Sequence, residues 1–287
     1  MTRRARAIGL YALVAYGVTW AVWLPYVLAA REGRELPSPY LYYLASFGPL
    51  AGAMVAEAYE RGTPGIQDLL NRLLDPTREP RWILVGLFSP LVLPLVAALV
   101  LFSAGQGWPE WSEVGITSRA PGMGPFATWL LMILSFGIGE EVGWRGFLLP
   151  RLQHGRSALA ATARLTLIWA GWHTPAFLFR EGYVGLGISG ITGFLLGLAA
   201  GAVVLTALYN ASNGSVLAVA LWHGSWNWVA TSDGLQGPWV AVMTAVVMLA
   251  APVLIGRWGA RDLAPRPRTI IPPLSDPSAA QWFAVIG

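Results

Sequence analysis

Six residues in a largely apolar chain have the types and spacing to do chemistry. Glu140 and Glu141 are adjacent, Arg145 follows Glu141 by four, His173 stands further on, and His223 precedes Asn227 by four. Neighbouring residues on a helix of 3.6 residues per turn diverge by about 100°, so the two acids cannot share one role. Glu141 and Arg145 fall on one face with the acid first, the favourable order for a pair. Glu140 is then left without a local partner and free to act as a general base. Trp169 lies one turn before His173 and shares its face. His223 and Asn227 share a face as well, with Gly224 and Ser225 leaving room beside them. A carboxylate base with a histidine activates water, and a histidine with an asparagine can donate hydrogen bonds to a developing oxyanion. That combination suits hydrolysis of an amide. Glu140, His173 and His223 would also supply a His₂Glu zinc site with one position open for water. A metal-free site is preferred because no HExxH or other paired-histidine helix motif is present. The blander alternative is that these groups only brace neighbouring helices, but two acids in one span exceed what bracing needs. His154, in a basic loop, reads as solvated.

The elements that must position these residues are membrane helices. The chain has 287 residues, 55% hydrophobic and 12% charged, against about 25% charged in an ordinary soluble domain; its mean hydropathy is +0.53. Cysteine is absent, which excludes disulfides, a thiolate nucleophile and cysteine metal sites. The net charge of +4 reads as placement of arginines relative to a bilayer, not as a nucleic-acid footprint. Each span needs roughly 20 apolar residues. Runs that meet this or come close cover 8–30, 40–58, 82–103, 125–149, 159–179, 183–209, 215–230 and 238–255. The first exceeds the roughly 7–15 apolar residues of a signal peptide and reads as a retained helix. Pro90 and Pro94 predict a kink in the third. Between spans, Ile66, Leu69, Leu70, Leu73 and Leu74 recur at helical spacing and predict an interfacial helix. Trp108 and Trp111 place the 104–124 connection at the interface.

The fold class expected is therefore an all-α membrane protein of about eight transmembrane helices, bundled around an intramembrane catalytic cavity. One membrane domain covers 1–263, with the motif core at 125–230, and a Pro-rich cytoplasmic tail covers 264–287. With eight spans both termini share a side. That side holds 15 of the 19 arginines, leaving Arg31, Arg34, Arg119 and Arg180 opposite, so both termini are expected in the cytoplasm of a cell-membrane protein. Gly193, Gly197 and Gly201 step by four along the sixth span and read as a packing face. His173 is about 20 Å along its span and Glu140 about 14 Å from the cytoplasmic end of its own, a similar depth.

The order Glu-Glu-x-x-x-Arg, aromatic-x-x-x-His, His-x-x-x-Asn on successive polar-bearing helices resembles the CPBP family, the CAAX protease and bacteriocin-processing (abortive-infection) proteins. These include the prenyl-protein endopeptidases. The motifs cover residues 139–228, and the eight-helix layout extends the likeness. The resemblance implies an eight-helix fold with a catalytic cavity open to the cytoplasm and the lipid. It implies Glu140 as the base that activates water, His173 assisting, His223 and Asn227 at the oxyanion, and Glu141 with Arg145 ordering the carboxylate helix. The family was long labelled metalloprotease and is now usually described as glutamate-type. Trp169 departs from the usual Phe, a change that keeps an aromatic ring and reads as minor.

The expected function is endoproteolysis near the carboxyl end of a membrane-associated, hydrophobic or prenylated substrate, with no cofactor, or Zn²⁺ under the alternative. The expected partners are membrane lipid and a membrane-associated peptide or protein, with no nucleic acid; oligomeric state is left open. Two rivals remain. One is a non-catalytic membrane regulator or immunity protein that binds a partner through the same cavity. The other is a proton-coupled transporter, disfavoured because no symmetric pair of interrupted helices is present.

Overall fold

Apolar runs in this chain end at side chains that cap helices and at prolines that start them. Thr2, Ser157 and Ser215 each accept a hydrogen bond from the backbone N–H three residues on, satisfying a donor the helix start leaves open. Pro80, Pro125 and Pro238 occupy first-turn positions, where a missing N–H costs nothing. The structure, a computed structural model, describes residues 2–274. Among them the helices are α1 Arg3–Arg31, α2 Gly48–Glu60, α3 Thr63–Leu74, α4 Pro80–Ser103, α5 Pro125–Gln153, α6 Ala158–Trp172, α7 Ile188–Ala211, α8 Val216–Thr231 and α9 Pro238–Asp262.

The protein is an all-helical membrane bundle. Five helices, α1, α4, α5, α7 and α9, are long and apolar enough to cross a membrane by length and composition. The other three expected spans are shorter. The second is divided into Pro39–Leu44, a tight turn Ala45–Phe47 and the 13-residue α2. α6 stops after 15 residues and continues as the 3₁₀ turn Thr174–Leu178, because Pro175 cannot extend an α-helix. α8 has 16 residues. The sixth expected span begins at Ile188, five residues later than its hydropathy. α3 is the amphipathic connection foreseen, with Leu69 and Leu73 buried and Leu70 and Leu74 exposed.

α1 lies along α2, α8 lies against α4 and α5, and α7 pairs with α9. The helices alternate in direction, so the bundle has a terminal end, with the start of α1 and the finish of α9, and a loop end, with the 32–38, 104–124, 173–187 and 232–237 connections. At the terminal end the chain from 263 folds back. Ile271 is buried and donates to Pro150 O at 3.2 Å, and Gln153 Nε2 donates to Thr269 O at 2.7 Å. The expected tail therefore lies on the bundle as far as 274; its remainder lies outside the described residues.

Four arginines counted as cytoplasmic are in fact buried: Arg61, Arg72, Arg145 and Arg151. The remaining eleven of that side still outnumber the four opposite. Three of the buried ones join a network at the terminal end. Glu57 accepts from Arg61 (2.8 Å) and Arg151 (2.9 Å), and Glu60 accepts from Arg151 (2.7 Å). Asp68 accepts from Arg61 (3.0 Å) and Arg72 (2.9 Å). Arg72 also donates to Gly146 O and Tyr209 Oη, each at 2.8 Å, and so ties α3 to α5 and α7. Burial pushes the Asp68 carboxyl up, but the Arg72 and Arg61 charges outweigh it and hold the group below its ordinary range. Asp68→Asn is expected to destabilise the protein by about 3–5 kcal/mol, since it strands buried cations; denaturation in detergent measures it. The Asp68 contribution is present at neutral pH and lost only as pH falls below about 3.9 through the depressed folded value, so the gap between wild type and variant should close in acid.

Candidate active site

The Glu140–Glu141 pair is carried on a helix pressed against its neighbour. A Cβ on Gly139 would sit 2.7 Å from Ser46 O, and one on Gly143 would sit 2.6 Å from Pro49 O. Only glycine fits at these two positions, and they bring α5 into backbone contact with the turn before α2 and the start of α2. Over Ile133–Glu140 and again over Val142–Leu148 the backbone is π-helical, bonding five residues back instead of four. Such widened turns are uncommon and recur at functional sites.

Within this stretch Glu141 and Arg145 pair as their spacing predicts, at 2.7 Å, with both side chains fully buried. Glu141 Oε1 also accepts from His223 Nδ1 at 2.8 Å. A buried carboxylate thus faces two cationic or proton-bearing partners from two helices. Because Nδ1–H is donated to Glu141, Nε2 is the ring nitrogen that His223 offers to its surroundings.

Glu140 is not partnerless, contrary to the expectation from sequence. Its Oε2 accepts from Trp169 Nε1 at 3.0 Å and from Trp144 Nε1 at 3.3 Å. Two indole N–H groups satisfy and aim the carboxylate without neutralising it, and leave Oε1 for another proton. The signal for Trp144 was present: it follows Glu140 by four, as Arg145 follows Glu141. It was missed because tryptophan in an apolar run reads as packing.

Trp169 connects the whole site. Its indole N–H holds Glu140, and Arg145 lies over its ring at 4.7 Å from the centroid. The His223 ring meets it edge-on at 5.5 Å, and its backbone carbonyl accepts from His173 Nδ1 at 2.8 Å. Phe in this place would lack the N–H and could not make the bond to Glu140. His173 is placed just past the end of α6, which α1 secures: Trp20 Nε1 donates to Trp172 O (3.1 Å), and Trp172 Nε1 donates to Thr19 Oγ1 (2.9 Å). Since a carbonyl only accepts, His173 holds its proton on Nδ1 and presents an unprotonated Nε2. Asn227 Nδ2 donates to His223 O at 3.0 Å, which leaves the second amide hydrogen free.

Glu140, Trp169, His173, His223 and Asn227 all line one cavity of about 380 Å³. Arg180 and Gln236, from two loop-end connections, are among the residues of its wall. The loop-end residues in its wall stand at the end of the bundle away from the termini. The glycine stripe of α7 also borders the cavity. A Cβ at Gly193 or Gly201 would meet nothing within 4 Å, and only Gly197 touches α9, at Met248 and Thr244. The stripe widens the cavity more than it packs helices. Among the described residues no three His, Asp or Glu side chains are disposed to hold one metal ion. Glu140, His173 and His223 each line the cavity.

The cavity thus brings a carboxylate, two histidines and an amide together in the interior of a helical membrane bundle. Residues 122–229 match the model of a family described as Rce1-like, type II CAAX prenyl endopeptidase. A relative, the CAAX prenyl protease 2 of Methanococcus maripaludis, is 24% identical over 179 residues, 61% of this chain and 64% of that protein. The match thus spans less than two thirds of the relative's length. These findings bear out the resemblance of the motifs to the CPBP family of CAAX-type proteases.

Trp169→Phe keeps the ring and removes the N–H. Loss of a hydrogen bond to a charged group should lower turnover about tenfold or more, with the helical circular dichroism unchanged. Turnover equal to wild type would show that the indole does not aim Glu140.

Proposed function

We propose that the protein is an intramembrane endopeptidase that hydrolyses a peptide bond of a membrane-associated substrate with a water activated by Glu140. The observation that carries this reading is the convergence of Glu140, His173, His223 and Asn227 on one cavity. Glu140 Oε1 takes a proton from water as the water oxygen attacks the scissile carbonyl carbon. The carbonyl oxygen becomes an oxyanion, which the free Asn227 amide hydrogen and a protonated His223 Nε2 stabilise. Glu141 stabilises that imidazolium through Nδ1, much as it holds Arg145. Collapse breaks the C–N bond, and the proton returns to the departing amine from Glu140, with His173 Nε2 accepting or relaying it. The carboxylate and its histidine serve without a metal, a glutamate-type mechanism supported by the indole pair that aims Glu140 through Oε2 and leaves Oε1 for the proton of water.

Substrate chemistry follows from the cavity walls. The aromatic and glycine lining favours an apolar or lipid-bearing segment beside the scissile bond. Purified protein in liposomes, given a fluorogenic peptide with a hydrophobic carboxyl-terminal segment, should cleave it. Glu140→Gln and His173→Ala should each lower the rate by roughly 10²–10⁴, and activity should survive chelation with metal analysis at background. Wild-type-like cleavage by Glu140→Gln defeats the mechanism, and inactivation by chelation restored by zinc defeats its metal-free form.

The orientation proposed is that of the arginine count: termini in the cytoplasm of the cell membrane, cavity mouth toward the opposite face. The chain has no cysteine, so single cysteines report sidedness cleanly. Glu181→Cys, on an exposed loop at the mouth, should react with an impermeant maleimide in intact cells, whereas Arg156→Cys should react only after permeabilisation. The reverse pattern would invert the orientation and put the mouth in the cytoplasm.

A further inference from the structure

The buried Glu141–Arg145 pair is only half satisfied by the partners described so far. Glu141 Oε1 takes both of the carboxylate's hydrogen bonds, from Arg145 Nη1 at 2.7 Å and from His223 Nδ1 at 2.8 Å. Glu141 Oε2, Arg145 Nε and Arg145 Nη2 are buried and have no hydrogen-bond partner among the described residues. Nε and Nη2 form the side-on fork of the guanidinium, so the two open donors point the same way. A buried ion pair offsets its desolvation only when its remaining lone pairs and protons are bonded as well. The pair stands behind the catalytic cavity, whose wall contains neither residue.

One more polar atom is stranded in the same neighbourhood. Tyr11, on α1, is fully buried, and its hydroxyl has no partner among the described residues. The ring is held from three sides. It stacks on Phe147 at 4.9 Å and meets Trp144 edge-on at 5.7 Å, two residues that flank Arg145 on α5. From α2, a Cβ on Gly52 would come within 2.7 Å of Tyr11 O and 3.1 Å of the ring. The charges that act most strongly on the Tyr11 hydroxyl are those of Glu141 and Arg145, then Glu140. Phenylalanine would fill this space without burying a polar group, so packing alone does not account for the hydroxyl. Two donors on Arg145, an acceptor on Glu141 and a hydroxyl that can do both are what an internal water needs. Such a water accepts from the Arg145 fork, donates to Glu141 Oε2 and bonds Tyr11 Oη, giving it the about three partners usual for buried water.

We propose that Tyr11 is a positioning residue of the active site, holding an internal water between its hydroxyl, Glu141 Oε2 and the Arg145 fork. The water fixes the Glu141 carboxylate from behind. Glu141 in turn sets the tautomer and aim of His223, which lines the cavity. This rests on the endopeptidase reading and extends it: α1, which carries none of the sequence motifs, joins the machinery through Tyr11.

The test compares Tyr11→Phe with replacement of Tyr11 by 4-aminophenylalanine, which keeps the ring and restores a hydrogen-bonding group at its end. One readout needs no substrate. The Tm of the detergent-solubilised protein should fall by about 2–4 °C in Tyr11→Phe, the loss of one bonded hydroxyl in a chain of this size, and recover in the amino variant. A hydroxyl that bonds nothing gives the opposite sign, since its removal relieves a buried polar group. The second readout is cleavage of the fluorogenic peptide in liposomes. In Tyr11→Phe kcat should drop about tenfold with KM unchanged, and the amino variant should return towards wild type. A Tyr11→Phe protein at least as stable as wild type overturns the water site. Lower stability with unchanged kcat, or a loss of kcat that the amino variant does not repair, overturns the positioning role. Absence of cleavage by wild type, with the stability difference and its repair intact, would instead overturn the protease reading and leave the water site standing.

Discussion

Two carboxylates next to each other in an apolar interior must both be satisfied, and this requirement organises the bundle. A buried charge deprived of its partner costs several kcal/mol, so neither glutamate can be left to chance. The solution divides them. Glu141 receives charge, from Arg145 on its own helix and through the Nδ1–H of His223 on α8. Glu140 receives only neutral dipoles, the indole N–H groups of Trp144 and Trp169. The first arrangement locks a carboxylate; the second aims one while leaving it able to exchange a proton. Adjacent residues of the same type thus acquire different duties because different helices face them.

That division dictates the packing around it. To bring α6 and α8 to the same carboxylate pair, α5 must approach α2 backbone to backbone, which Gly139 and Gly143 permit. The motif helix is then secured from behind at the terminal end, where Arg72 donates to Gly146 O and Arg151 donates to Phe147 O at 2.9 Å. On the opposite side Tyr11 stacks on Phe147 at 4.9 Å and meets Trp144 edge-on. Rigid packing behind the pair and open space in front of it, bordered by Gly193 and Gly201, give the site a direction.

Spacing alone made the pairings within the candidate site legible. Glu141 with Arg145, and Trp169 with His173, were found from the i, i+4 rule, and both relations hold despite the π-helical turns in α5 and the end of α6 at Trp172. Arginine burial was not legible, because Arg61, Arg72 and Arg151 sit in stretches whose composition reads as solvated loop and helix end. Only the fold reveals that Glu57, Glu60 and Asp68 come together to receive them. The glycine stripe was ambiguous for a different reason. A four-residue step places small residues on one face but does not say whether another helix or a cavity occupies that face. Helix number was blurred likewise, since hydropathy does not register the turn at Ala45–Phe47 or the break at Pro175.

Trp169 shows how a single change from the family pattern can alter chemistry while conserving shape. A phenyl ring there could still stack under Arg145 and meet His223 edge-on, and its backbone carbonyl would still fix the His173 tautomer. What it could not do is donate to Glu140, whose remaining indole donor, Trp144, is the longer of the two at 3.3 Å. A carboxylate holding one weak donor would be freer to rotate towards Arg145, which lies within the same buried cluster and has nitrogens without a partner. Such a rotation would collapse the distinction between the locked glutamate and the aimed one. The indole therefore does more than fill the aromatic position: it gives Glu140 the shorter of its two donors, at 3.0 Å.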